Sequence, residues 1–130
     1  MNIRRFDTIC GKLSGATLVV QWGDEHVWKI GGKMFAMASP SRKPFACRMK
    51  ASEIAREALS GLRGIAPAPY LARAGWLSIE HGAMADREIA DMLRVAHALI
   101  AAALPRRVRA DSACRGASCR RAGGRARKAT

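Results

Sequence analysis

Val20-Gln21-Trp22-Gly23-Asp24-Glu25-His26-Val27-Trp28-Lys29-Ile30-Gly31-Gly32-Lys33-Met34-Phe35-Ala36 is the stretch on which the fold turns. Two runs rich in β-branched and aromatic residues flank a Gly-Gly dipeptide. Glycine alone adopts, without steric cost, the positive φ angles that a two-residue hairpin loop needs. If Gly31-Gly32 is the whole loop, the pairing follows. Ile30 faces Lys33, Trp28 faces Phe35 and His26 faces Met37 on one side of the ribbon. Lys29 with Met34 and Val27 with Ala36 share the other. Strand side chains alternate with a period of two, so this register separates Lys29 from Lys33 and makes Trp28 and Phe35 core anchors, with Trp76 of a later strand a third, as a strand tryptophan of a small domain.

Working outward, Ile3, Phe6, Ile9, Cys10 and Leu13 recur at three- and four-residue steps, predicting a helix over residues 2–14 that Gly15 ends. Leu18 to Trp22 reads as a strand and Gly23-Asp24-Glu25 as a turn. Beyond Ala38, Pro40 and Pro44 bracket a loop containing Arg42 and Lys43. Phe45, Cys47 and Met49 then alternate with Ala46, Arg48 and Lys50, predicting a half-buried strand with a basic outer face. Ser52 caps a short helix through Leu59. Pro67-Ala68-Pro69 excludes helix and leads to two further strands, Tyr70–Ala72 and Trp76–Glu80, around an Arg73–Gly75 turn. Asp86 caps the longest helix, which ends at Pro105 with Ile89, Met92, Leu93, Ala96, Leu99, Ile100 and Ala103 on its apolar stripe. The order is α-β-β-β-β-α-β-β-α. Strands in runs, without strict β-α alternation, predict an α+β fold: an antiparallel sheet with the N- and C-terminal helices on one face.

The chain has 130 residues, of which 23 are Lys or Arg and 10 are Asp or Glu, for a formal charge of +13. The excess is uneven. Residues 105–130 hold nine basic residues and one acid, whereas residues 1–104 hold fourteen and nine. Residues 106–130 are also poor in large apolar side chains, so they lack the surface that would offset the entropy of ordering. The expected organisation is therefore a folded domain over 1–105 and a disordered basic tail over 106–130. The longest uninterrupted apolar run, Ala98 to Leu104, has seven residues, far short of the roughly 18–20 that a membrane span needs. The N-terminus lacks an export signal, and the cysteines (Cys10, Cys47, Cys114, Cys119) follow no metal-binding spacing, so a cytoplasmic setting is expected.

Function is harder to read from the residues. No Walker A, GxGxxG or GxSxG pattern is present. The carboxylate pairs Asp24/Glu25 and Glu53/Glu57 read as a turn and an exposed helix face. His26, His81 and His97 are scattered in sequence, with no acidic cluster nearby, and His97 reads as a boundary residue of the last helix. The reading is of a protein that is not an enzyme, with no catalytic residues, no metal and no cofactor. Basic side chains are the remaining chemistry. Lys29, Lys33, Arg42, Lys43, Arg48 and Lys50 in the domain, with Arg106, Arg107 and Arg109 after it, are the candidate DNA contacts, because cations that neutralise phosphates bind with release of counterions. The competing reading is that these charges keep an exposed sheet soluble and discourage edge pairing. Trp22, Trp28, Tyr70 and Trp76 are candidates for base stacking, against the commoner role of core aromatics.

The stretch quoted above resembles the MmcQ/YjbR family. The resemblance extends to Phe6 and Cys10, to Arg48 and Lys50, to Pro67-Ala68-Pro69-Tyr70-Leu71-Ala72, to Trp76, and to His97 and Leu104, and covers roughly residues 2–109. It implies a CyaY-like fold of double-wing type and a DNA-binding role; the basic residues named above would make that binding mostly nonspecific, through phosphates. Two features depart from the family pattern: Ala96-His97, where many members have serine followed by an aromatic or histidine, and the length of the tail. Iron handling, raised by kinship with frataxin-like folds, needs an acidic ridge, and the first helix offers only Asp7 among Arg4, Arg5 and Lys12. A formyltransferase label carried by some members needs an Asn/His/Asp constellation absent here. The alternative to DNA binding is a small protein-interaction or regulatory domain, monomeric or of unknown oligomeric state.

Overall fold

The computed structural model describes residues 1–69 and 71–105. The elements run α1 (Ile3–Gly11), β1 (Ala16–Gln21), β2 (Glu25–Ile30), β3 (Lys33–Ala38), β4 (Ala46–Lys50), α2 (Glu53–Leu59), β5 (Ile65–Pro67), a single 3₁₀ turn (Ala72–Ala74), β6 (Trp76–Glu80) and α3 (Asp86–Ala102). The six strands form one antiparallel sheet in the order β1-β2-β3-β4-β6-β5. This is the predicted α+β layout. The expected tail, and Tyr70 with it, lies outside the described residues.

The apolar stripes account for the layering. Phe6 and Cys10 of α1 and Ile89, Leu93 and Ala96 of α3 are buried with Trp28, Ile30, Phe35, Cys47, Met49, Leu77 and Ile79 of the sheet. Burying side chains of this size contributes about 1.5–3 kcal/mol each, which holds both helices on one face. His97 sits at the edge of this core. Its ring meets Phe35 edge-on at 5.3 Å and its Nε2–H donates to the Ser14 carbonyl at 2.8 Å. Burial draws its pKa below the ordinary imidazole value. Cys10 and Cys47 are free and buried; desolvation pushes the Cys10 thiol far up and that of Cys47 to about 12.

The hairpin differs from prediction in one way. Ile30–Lys33 and Lys29–Met34 pair as expected, but Trp28 then faces Ala36, Val27 faces Met37 and His26 faces Ala38. Phe35 is an extra residue in β3, a β-bulge. A strict two-residue loop would put Phe35 and Ala36 on opposite faces. The bulge lets both join the helix-side core, and it moves Met37 to the other face. Trp28 and Phe35 are thus both buried in one core, though they are not directly opposed.

Three boundaries also shift. The first helix ends at Gly11, before the predicted Gly15, with a turn over residues 13–15 leading into β1. The strand expected at 70–72 is instead Ile65–Pro67, and Ala72 to Ala74 form the 3₁₀ turn. Pro67 fits because β5 is an edge strand, where a missing N–H costs no ladder bond on the solvent side. At the start of α3 the cap position is Ala85, whose N–H donates to Glu88; Asp86 is the first helical residue and is held by Arg5 and the N-terminal ammonium. Ser52 caps α2 as predicted, accepting from the Ala55 N–H at 3.1 Å.

The second face of the sheet is covered as well. Val27, Met37 and Trp76 are buried there under Ala68, with Met34 and Leu71 packed at the margin. Ala68 and Leu71, between β5 and β6, therefore lie over this face.

Candidate functional site

The predicted cations fall into three groups. Arg48 lies on the second face, but it is not a basic outer surface. Its Nη2 donates to both oxygens of Glu25, at 2.7 and 2.6 Å, and the two side chains are only 15 and 17% exposed. That guanidinium is consumed by an internal ion pair, which corrects the reading of β4 as basic on its outer face. Alternation placed Arg48 off the helix-side core, yet a second covered layer lies on that side.

Arg42 and Lys43 are exposed on the loop after β3. Lys33 is exposed at the other end of the same strand. Six residues at about 3.3 Å each separate the two ends, so these side chains do not form one patch.

The third group is at the Gly31-Gly32 end of the sheet. Lys29 pairs with Met34 and Lys50 with Trp76, so both lysines belong to the second face. Strand β3 lies between their strands, a separation of roughly 10 Å. Lys50 Nζ donates to the Ala74 carbonyl. The structure adds Arg56, which the sequence reading passed over. Gly75 stands at φ +84°, and the Arg56 guanidinium occupies the place a Cβ would take there, with Lys50 Nζ 3.3 Å from the same point. Two cations thus converge over one glycine, and no carboxylate bridges them among the described residues. The only sequence signal for this was Gly75 itself, read as a turn residue. Arg106, Arg107 and Arg109 lie outside the described residues.

The acidic side chains explain the rest of the polar framework. Asp7 accepts from Trp28 Nε1 at 2.9 Å and lies 2.8 Å from His26 Nδ1. His26 therefore does meet a carboxylate, one nineteen residues away in sequence. This ties α1 to β2. Asp24 accepts from Ser39, and hydrogen bonds from Ser41 and Ser39 hold its carboxyl below the usual range. Of the aromatics, Trp28 and Trp76 are buried at 8 and 4% exposure, whereas Trp22 is 64% exposed. The expectation of a buried tryptophan fails at Trp22 because it belongs to the β1–β2 turn, at φ +52°. No group of three metal-ligating side chains occurs among the described residues. Nor is any described helix long and apolar enough to cross a membrane.

Comparison with known proteins agrees with this architecture. Among solved structures, the chain is similar to the crystal structure of the Deinococcus radiodurans protein DR2400, which carries a DUF419 domain. The TM-score is 0.73 at 19% identity, over 85% of this chain and 87% of that one. Comparison with curated proteins finds no match. The YjbR family model matches residues 11–99, from the end of the first helix through most of the last. With the whole sheet inside that match, the chain belongs to the YjbR family.

Proposed function

We propose that this protein binds duplex DNA through its phosphates, without sequence preference and without catalytic chemistry, in the cytoplasm. The observation that carries the reading is the convergence of Lys50 and Arg56 over Gly75. Two like charges brought together with no carboxylate between them repel, and a phosphate oxygen set between them relieves that repulsion. Lys29 on the same face and Lys33 at the hairpin tip extend the positive edge. Buried free thiols fit a reducing compartment.

The test is a titration of a short duplex against the full chain and its Lys50→Gln/Arg56→Gln variant over a range of salt. Loss of two phosphate contacts makes the log–log salt slope shallower by about 1.8. An unchanged slope and affinity would remove this site from the reading.

A protein-interaction domain is the second reading, and one observation favours it. The edge strand β1 carries no charged residue and exposes Leu18, Val19 and Val20, with Trp22 just beyond. An unpaired apolar edge is a template for a partner strand. Failure of the full chain to bind duplex DNA even at low salt would favour it over the first.

A further inference from the structure

We infer that the groove between α1 and the start of α3 is a second phosphate-chain site, on the helix side of the sheet and apart from the Lys50–Arg56 convergence at Gly75. It has a volume of about 560 Å³ and is lined by Arg4, Arg5, Thr8, Lys12, Asp86 and Arg87, among others. Four cations thus face one carboxylate, and that carboxylate is already taken. Asp86 binds the N-terminal ammonium at 2.9 Å and Arg5 Nε at 3.0 Å. The ammonium's hydrogen bond holds the Asp86 carboxyl below its ordinary range, so it stays ionised and committed to these two partners. Arg4, Lys12 and Arg87 have no acidic partner among the described residues.

The spacing says what kind of anion fits. Arg4, Thr8 and Lys12 recur every four residues along one side of α1, so the two cations stand about 12 Å apart along its axis. Arg87 faces them from α3. A single phosphate bridges no such distance, whereas a chain of phosphates meets both ends and the opposite wall. The groove holds no aromatic side chain, so it offers no platform for stacked bases. Its chemistry addresses a phosphate backbone and leaves the bases unread. Nucleic acid and inorganic polyphosphate share that chemistry. The site shares its ligand class with the sheet-end reading above but rests on different residues.

The experiment uses the full chain, its Arg4→Gln/Lys12→Gln/Arg87→Gln variant, and Arg94→Gln as a control whose guanidinium is paired with Asp91. Arg5 is left in place because it holds Asp86. Each protein is titrated with a short duplex over a range of salt and, separately, with inorganic polyphosphate, while amide NMR follows residues 4–12 and 86–90. For the duplex, the triple variant is expected to show a salt slope shallower by about 2.7, with groove amide shifts lost and the control unchanged. If the wild-type chain binds duplex but neither ligand shifts these amides and the triple variant keeps its slope, the groove site is overturned while the sheet-end site stands. If only polyphosphate shifts the groove amides, the groove is upheld with that ligand and duplex DNA is excluded from it, while the Lys50→Gln/Arg56→Gln slope decides the sheet-end site on its own. If neither ligand shifts them or binds the chain, both fall.

Discussion

Glu25 and Arg48 show how much one side chain can mislead when its partner is distant in sequence. Twenty-three residues separate them, and β3 lies between their strands. Water is largely excluded from the pair, and the Arg48 Nε has no hydrogen-bond partner in its buried position. Removing one member of such a pair leaves an uncompensated charge, which costs more than the pair itself contributes. Arg48→Ala is therefore expected to destabilise the protein by about 3 kcal/mol, near the low end for a buried pair. A double replacement, Glu25→Leu with Arg48→Met, should recover most of that loss, because it removes both desolvated charges and leaves apolar volume beside Met37. Chemical denaturation of the three proteins checks this. A loss under 1 kcal/mol for Arg48→Ala would show that the pair is effectively solvated. The duplex salt slope should not change, since a guanidinium held by Glu25 releases no counterion.

At the scale of the element, the β2–β3 hairpin joins a turn specified by its glycines to a bulge specified by the core. Gly32 stands at φ +82° with nothing within 4 Å of where a Cβ would be, so its replacement meets conformational strain and no clash. Gly32→Ala should cost about 1–2 kcal/mol, the left-handed penalty for an L-residue, and Gly32→Asn distinctly less. Equal losses for the two variants, measured by thermal or urea unfolding, would mean that the turn is not held in this conformation. Gly31-Gly32 was legible because turn chemistry is local. So were the helix stripes and the alternation of Cys47 and Met49 in β4, which depend only on period. The bulge was not legible. Phe35 and Ala36 are both apolar, and nothing in β3 alone says that both must face the helices. The 3₁₀ turn after Pro69 was hidden for a related reason: Pro67 reads as a breaker until one knows that its strand is an edge. The pairing of Lys50 with Arg56 needed the β4–β6 ladder and α2 to be placed together, and the α1–α3 groove needed two helices eighty residues apart to meet. Both are tertiary facts with no local pattern.

Across the whole molecule, the positive charge is divided among several separate stretches of the sequence and fold. Lys50 lies on the second face of the sheet and meets Arg56 over Gly75, the α1–α3 groove lies on the helix side, and residues 106–130 add nine basic side chains against one acid. Counterion release makes phosphate contacts additive in the salt slope, so the contribution of each region can be counted separately. Leu104, 6% exposed, is the last core residue among the described residues, and a chain ending at residue 105 retains every core side chain described. Such a chain should unfold at the same midpoint as the full protein. Its duplex affinity should fall, with a slope shallower by about 5–8 if six to nine of the removed cations met phosphates. A residual slope of about −2 to −5 should remain, from two to five contacts on the folded part. Zero residual binding at low salt would assign every contact to the removed residues, leaving Lys50, Arg56 and the groove without a role in duplex binding. A residual slope that vanishes only when the Lys50/Arg56 and Arg4/Lys12/Arg87 substitutions are combined would mean that the two faces engage DNA independently, so that one domain could hold two duplex segments at once.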